Sequence, residues 1–161
     1  MVDRPETRLL VEEGTPPGLD PEQARLLGYW ARLAAVADPP AWKRFDPLEV
    51  WPLVPCLVVL EILDGGADLL YRLPGGALEE RVGRSLRGKR LSELYPERRV
   101  EAACAKAREM LQDPRPRLRD GALVMAGREH HRYRRLTLPF AREDAGPVAF
   151  LLVHYLFLDE R

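Results

Sequence analysis

The chain has little of what catalysis is made from. Its 161 residues include two cysteines, three histidines and two serines. Cys56 and Cys104 lie far apart and form no CxxC unit, which excludes a zinc ribbon, a thioredoxin-like pair and a disulfide framework. They are expected to be reduced, partly buried thiols. His130 and His131 are neighbours on a predicted strand, so their side chains leave on opposite faces and cannot easily share a metal. His131 and His154 could meet across a strand pair, but no third ligand is indicated, and no metal is expected. Neither Ser85 nor Ser92 has a GxSxG setting or a nearby histidine. No catalytic residue is assigned, and the chain is not expected to be an enzyme.

An excess of one charge is missing too. Twenty-five basic residues balance twenty-five acidic ones, so nothing in the net charge draws the chain to nucleic acid or an anionic membrane. The longest apolar run, residues 147–158, is shorter than the ~18 residues of a membrane span and contains His154. The N-terminus has no apolar signal core. A cytoplasmic location follows, with neither nucleic acid nor membrane as partner.

What is present is an ordered series of α and β signals. Residues 1–18 mix charges with glycine and proline and are expected to be a flexible lead; residues 19–161 are read as a single domain. Asp20-Pro21-Glu22-Gln23 starts a helix, with Asp20 as cap, Pro21 in the first turn and Gln23 at the capping-box position. Leu26, Leu27, Trp30 and Leu33 then fall on one face, and the helix should end before Asp38-Pro39. Asp46-Pro47 repeats the cap-then-proline signal, with room for only a short turn before Pro52 and Pro55. Residues 56–63 and 68–73 form a hairpin about Asp64-Gly65-Gly66-Ala67. Pro96 opens the longest later helix, whose buried stripe is Val100, Ala103, Cys104, Ala107 and Leu111. Strands at about 117–125, 130–140 and 148–158 complete the chain, with turns at Gly127 and at Glu143-Asp144-Ala145-Gly146. This order predicts an α+β fold with a five-stranded antiparallel sheet.

The last strand is apolar at both parities. Val148, Phe150, Leu152 and Leu156 fall on one side, and Leu151, Val153, Tyr155 and Phe157 on the other. An antiparallel strand with one wet face should alternate, so both faces of this sheet need cover. The small helices and the Pro96 helix can supply one cover, and the Asp20 helix or a second subunit the other.

Residues 71–94, YRLPGGALEERVGRSLRGKRLSEL, run from a strand through a glycine pair and a short helix to Gly88 and a second small helix, which is how a chain wraps a small cavity. With Tyr29-Trp30, Phe45-Asp46-Pro47, Leu53-Val54-Pro55, Gly83-Arg84, Pro116, Arg135-Leu136, Leu138-Pro139 and Gly146, in this order and spacing, the chain resembles the stand-alone PAS-like proteins of bacteria, which carry no output domain. It departs from their pattern at Gly76, Ser85 and Arg87, where polar groups differ near the expected cavity mouth. The resemblance implies a PAS-like sheet with helices over one face, a leading amphipathic helix, and a role in signalling or regulation. Haem and flavin are not expected: the Pro96 helix carries no axial histidine, and Cys104 lacks the asparagine–cysteine setting of flavin-adduct domains.

In such a fold Tyr71, Leu73, Leu78, Val82, Leu86, Leu94, Val100, Cys104 and Tyr133 are placed to line a cavity, which they either fill or leave open to a small apolar or aromatic ligand. Arg72 and Arg135 recur in the resemblance; they either fix a carboxylate or phosphate, or brace the fold through Glu61 or Glu80. A cluster of Arg115, Arg117, Arg119, Arg128, Arg132, Arg134 and Arg135 decorates the later strands, as a solvated hairpin or a patch for an acidic partner. The expected function is a sensory or regulatory module signalling through a protein partner or a homodimer, with Leu26, Leu27, Trp30 and Leu33 as the helix face for that step. The rivals are a ligand-free interaction module and a cone-shaped α+β enzyme, for which no acid–base dyad is found.

Overall fold

The computed structural model describes residues 8–124 and 130–158. The turn assigned to Gly127, and Arg128 of the arginine cluster, lie outside the described residues. The elements are β1 (Leu10–Val11), α1 (Pro21–Ala34), β2 (Leu57–Leu63), β3 (Asp68–Leu73), α2 (Gly76–Val82), α3 (Leu91–Leu94), α4 (Glu97–Gln112), β4 (Arg117–Val124), β5 (His130–Ala141) and β6 (Val148–Phe157). The strands form one sheet in the order β1-β4-β5-β6-β2-β3.

Five strands pair antiparallel, as expected. The sixth corrects the expectation. Leu10 and Val11, inside the stretch read as a flexible lead, pair parallel with β4 at the sheet edge, making the sheet mixed. The Leu10 amide donates to the Pro116 carbonyl at 2.9 Å, and the Glu12 amide to the Leu118 carbonyl at 3.0 Å. A two-residue strand has no periodicity to read.

Both faces of the sheet are covered, by one chain. On one face, Leu26, Leu27, Tyr29 and Trp30 of α1 pack on Leu57, Val59, Leu118, Leu136, Leu138, Phe140 and Leu152. On the other, Leu78, Leu86, Val100, Cys104, Ala107 and Met110 pack on Val58, Ile62, Tyr71, Leu151, Val153 and Tyr155. Each strand thus sends alternate side chains into two cores, as its pleat requires. Val148 departs from the parity assigned to it. Phe140 pairs with Phe150 and Ala141 with Val148, so one residue bulges, and Val148 turns to the α4 side.

Asp20 caps α1 by accepting from the Glu22 amide at 3.0 Å. Gln23 does not close a capping box. It is fully buried, and its Nε2 donates to the Arg134 carbonyl at 3.0 Å and meets His154 Nδ1 at 3.2 Å. The side chain that could have served the helix end locally is held by the sheet. Trp30 anchors the helix, donating from Nε1 to the Pro139 carbonyl at 2.9 Å. The stripe expected to serve a partner is therefore used at home: Leu26, Leu27 and Trp30 are buried against this chain's own sheet, and Leu33 is partly buried there.

The connection from β3 to α2 depends on Gly75, at φ 65°. A β-carbon there would lie 2.5 Å from the Leu57 carbonyl oxygen. The strand end and the helix start touch backbone to backbone, which only glycine permits. At the other end of α2, Gly83 closes the helix in the left-handed region.

His154 is 1% exposed, and burial pulls its pKa from 6.5 down to about 4 against a weak opposing pull from Asp20. Its Nδ1 accepts from Gln23, so the ring is neutral in the fold. The unfolded chain takes up that proton below about pH 6.5, while the folded chain resists it until about pH 4. Stability is thus complete above pH 7 and falls on acidification through this window. Urea unfolding should show a loss of about 2 kcal/mol between pH 7.5 and 5, absent in His154→Gln.

Candidate functional site

The space between the sheet and α4 is not filled. A pocket of about 330 Å³ remains, lined by side chains from α3, α4 and strands β2 to β6. Tyr71, Leu69 and Leu60 form one end with Leu91 and Tyr95. Leu151, Val153 and Tyr155 of β6 form the middle, and Tyr133, Arg135 and Thr137 of β5 with Arg117 and Arg119 of β4 form the other end. The roof is Arg99, Ala102, Ala103, Lys106, Ala107 and Met110 of α4, and Glu12 of the lead closes the β1 side. These α4 positions recur at spacings of three and four, so they share one helix face. The alanines on that face leave the volume open.

The walls are ordered by tyrosines. The Tyr71 and Tyr95 hydroxyls meet at 3.1 Å. Tyr133 and Tyr155 stand edge to face at 5.1 Å, and Tyr155 hydrogen-bonds Arg135. Burial raises the pKa of both Tyr71 and Tyr155, so the phenols stay neutral. Gly121 makes room for this wall: a β-carbon there would sit 2.6 Å from the Tyr133 hydroxyl.

Of the residues expected to line a cavity, Tyr71, Tyr133 and Arg135 do so. Leu78, Leu86, Val100 and Cys104 are packed into the core beside it, with Val82 and Leu94 against that core. Leu73 packs on the α1 side instead, and Arg72 turns away from the pocket. Arg72 Nε donates to Glu61 Oε2 at 2.5 Å, and Arg142 holds Glu61 Oε1 at the same distance. Glu61 is 4% exposed, and although burial raises its pKa, the hydrogen bonds from Arg142 and Arg72 bring it below the usual carboxylate range. Of the two roles open to Arg72, the geometry is that of the brace. Gly76 and Arg87, placed at a cavity mouth by the resemblance, line a separate shallow groove with Trp51, Pro52, Val54 and Pro55.

The arginine cluster divides along the pleat. Arg117, Arg119 and Arg135 point into the pocket. Arg134 pairs with Asp120 at 2.8 Å, and Arg115 with Asp113 at 2.7 Å. The strand period was the available signal, since these residues alternate with Leu118 and Leu136 of the opposite core. Glu12, Tyr95, Arg99, Lys106 and Tyr155 were not anticipated; only the common face of Arg99 and Lys106 with Ala103 carried a hint.

His131 and His154 do not form a site together. His154 lies on the α1 side beside Gln23, whereas His131 shares the parity of Tyr133 and Arg135 on the α4 side. Opposite faces of a sheet cannot supply one metal, which corrects the expectation that they could meet. Among the described residues no group of three or more His, Cys, Asp or Glu side chains is placed to hold a metal ion. Both cysteines are free, and burial pushes the Cys104 thiol up, away from the reactive thiolate. No described helix is long and apolar enough to cross a membrane.

The order of elements, the sheet and the pocket beneath the helical cover agree with a match to the profile of the PAS domain, over residues 20–153. The chain belongs to the PAS domain family. No curated protein matches it. The family match starts at the cap of α1 and therefore leaves out Glu12, the acidic member of the pocket wall. In this PAS domain the strand carrying that residue belongs to the sheet all the same.

The brace and the pocket are separable. Arg72→Ala removes one of two arginines from Glu61 and should lower stability by about 1 kcal/mol in a urea titration. It should leave pocket occupancy, read by native mass spectrometry, unchanged; a loss of bound molecules with stability intact would make Arg72 a ligand contact.

Proposed function

We propose that this PAS domain is a non-catalytic sensory or regulatory module, which responds to a small molecule in the pocket beneath α4 and acts through a protein partner or a second copy. The observation that carries this reading is the open volume of about 330 Å³, walled by tyrosines and roofed by alanines. It falls within the size range of small-molecule sites. Its wall combines tyrosine rings and aliphatic side chains with a few charged groups, the mixture that small-molecule sites present.

The pocket also supplies a route outward. Glu12 Oε1 accepts from Lys106 Nζ at 2.9 Å, and its Oε2 lies 3.5 Å from Arg119. The N-terminal strand is thereby tied to two residues of the pocket wall. A ligand that draws on Lys106 or Arg119 would loosen or tighten β1, shifting its pairing between two populations. The leading helix α1 sits on the far face of the sheet and lacks this direct contact.

A second reading, an interaction module working through its exposed faces, has one observation in its favour. Leu48 and Trp51 are 74% and 63% exposed on the turns before β2. Sedimentation would test self-association there: Trp51→Ser should shift any dimer to monomer without unfolding the chain.

Native mass spectrometry of the freshly purified chain tests the first reading. A bound small molecule is expected on the wild type and should be absent from Ala103→Phe, which fills the pocket from α4. Retention of the molecule by a folded Ala103→Phe protein would place the ligand elsewhere.

A further inference from the structure

The pocket has a charge the whole chain does not. Acidic and basic residues balance over the sequence, yet the charged side chains lining this volume are Arg99, Lys106, Arg117, Arg119 and Arg135 against the single carboxylate of Glu12. Glu12 is already engaged by Lys106 and Arg119. Arg99 lies over the Tyr95 ring at 4.2 Å; Arg135 is bonded to Tyr155, lies 5.8 Å from the Tyr133 ring and feels the charge of Glu12.

Two further features are costly as they stand. Arg119 and Arg135 are directly opposite in the β4–β5 register, on the same face. Like charges placed so repel. Arg117, 8% exposed, holds the Glu109 and Asp113 carbonyls through one terminal nitrogen, while its Nε is buried without a hydrogen-bond partner among the described residues. An unpaired donor on a buried cation is expensive. One oxyanion between Arg119 and Arg135 would relieve the repulsion, with Arg117 beside them on the same wall.

Strand order orients the rest of the ligand. The arginines of β4 and β5 are at one side of the sheet; Val153 and Leu151 of β6, then Leu60 and Tyr71, lie progressively further across it. Three arginines gather at the β4–β5 end, whereas the β6–β2–β3 end is mainly aliphatic and aromatic, with Arg99 over Tyr95 as its cation.

We propose that the pocket binds an organic anion, with a carboxylate or phosphate head held by Arg135, Arg119 and Arg117 and an apolar body lying toward Leu151, Leu60 and Tyr71. This rests on the reading of the pocket as a small-molecule site. Guanidinium groups suit either head, since both present two oxygens to a planar donor fork.

The test uses three probes with one tail: octanoate, octyl phosphate and octan-1-ol, titrated into the full chain by calorimetry and thermal shift. Octanoate or octyl phosphate should bind at least about tenfold more tightly than octanol. The stronger of the two anions identifies the head. Arg135→Gln should remove that preference, and Arg119→Gln should reduce it. The Arg119 side chain is 43% exposed, so its variant stays informative if Arg135→Gln does not fold. Equal binding of octanol and both anions, or an anion preference that survives both variants, would overturn the anionic head and leave the pocket a neutral-ligand site. Failure of all three probes to bind or to raise the melting temperature would overturn the pocket as a ligand site altogether.

Discussion

The structure depends on a sheet buried on both faces by one chain. A strand turns successive side chains in opposite directions, so each central strand must satisfy two environments at once. β5 shows the constraint in full. Leu136, Leu138 and Phe140 go to the α1 core, while Tyr133, Arg135 and Thr137 go to the pocket. A one-residue slip would put arginine under Trp30 and leucine in the cationic wall. The buried contact of Gln23 with His154 and the Arg134 carbonyl, and the Trp30 bond to the Pro139 carbonyl, tie α1 to that register by direction as well as by area.

The second consequence is electrostatic. Where a sheet has a wet face, arginines on it are solvated and cost little. Here the face that carries Arg117, Arg119 and Arg135 is roofed by α4, so their charges are partly withdrawn from water. Arg134, on the other parity, is compensated by Asp120. Neighbours in sequence thus differ: Arg134 is paired with a carboxylate, and Arg135 is bonded to a phenol in the pocket wall. Arg72 belongs with the first kind, through Glu61.

The third is a link between the N-terminal segment and the site. Residues before α1 add a strand to the sheet edge and place Glu12 against Lys106 and Arg119. Further bonds from the Asp120 amide to Thr15 and from Arg134 to the Gly18 carbonyl hold the segment along β4 and β5. The α1 helix is locked by a buried tryptophan and belongs to the frame.

The sequence by itself determined the elements from α1 onward and their order. Asp20-Pro21, the turn at 64–67, Pro96 and the two-sided apolarity of 148–158 are local signals, and local backbone chemistry answers to them. It also determined that the sheet had to be covered twice, and its resemblance to PAS-like proteins pointed to the family. Only the tertiary structure decided which cover came from where, that Gln23 serves the core and not a cap, that Glu12 joins the pocket wall, and that one run of arginines divides between ion pairs and the pocket wall. The physical reason is that charge acts through space and burial. A residue's period tells which face it takes, but its counter-ion, or the want of one, depends on what the rest of the chain brings to that face.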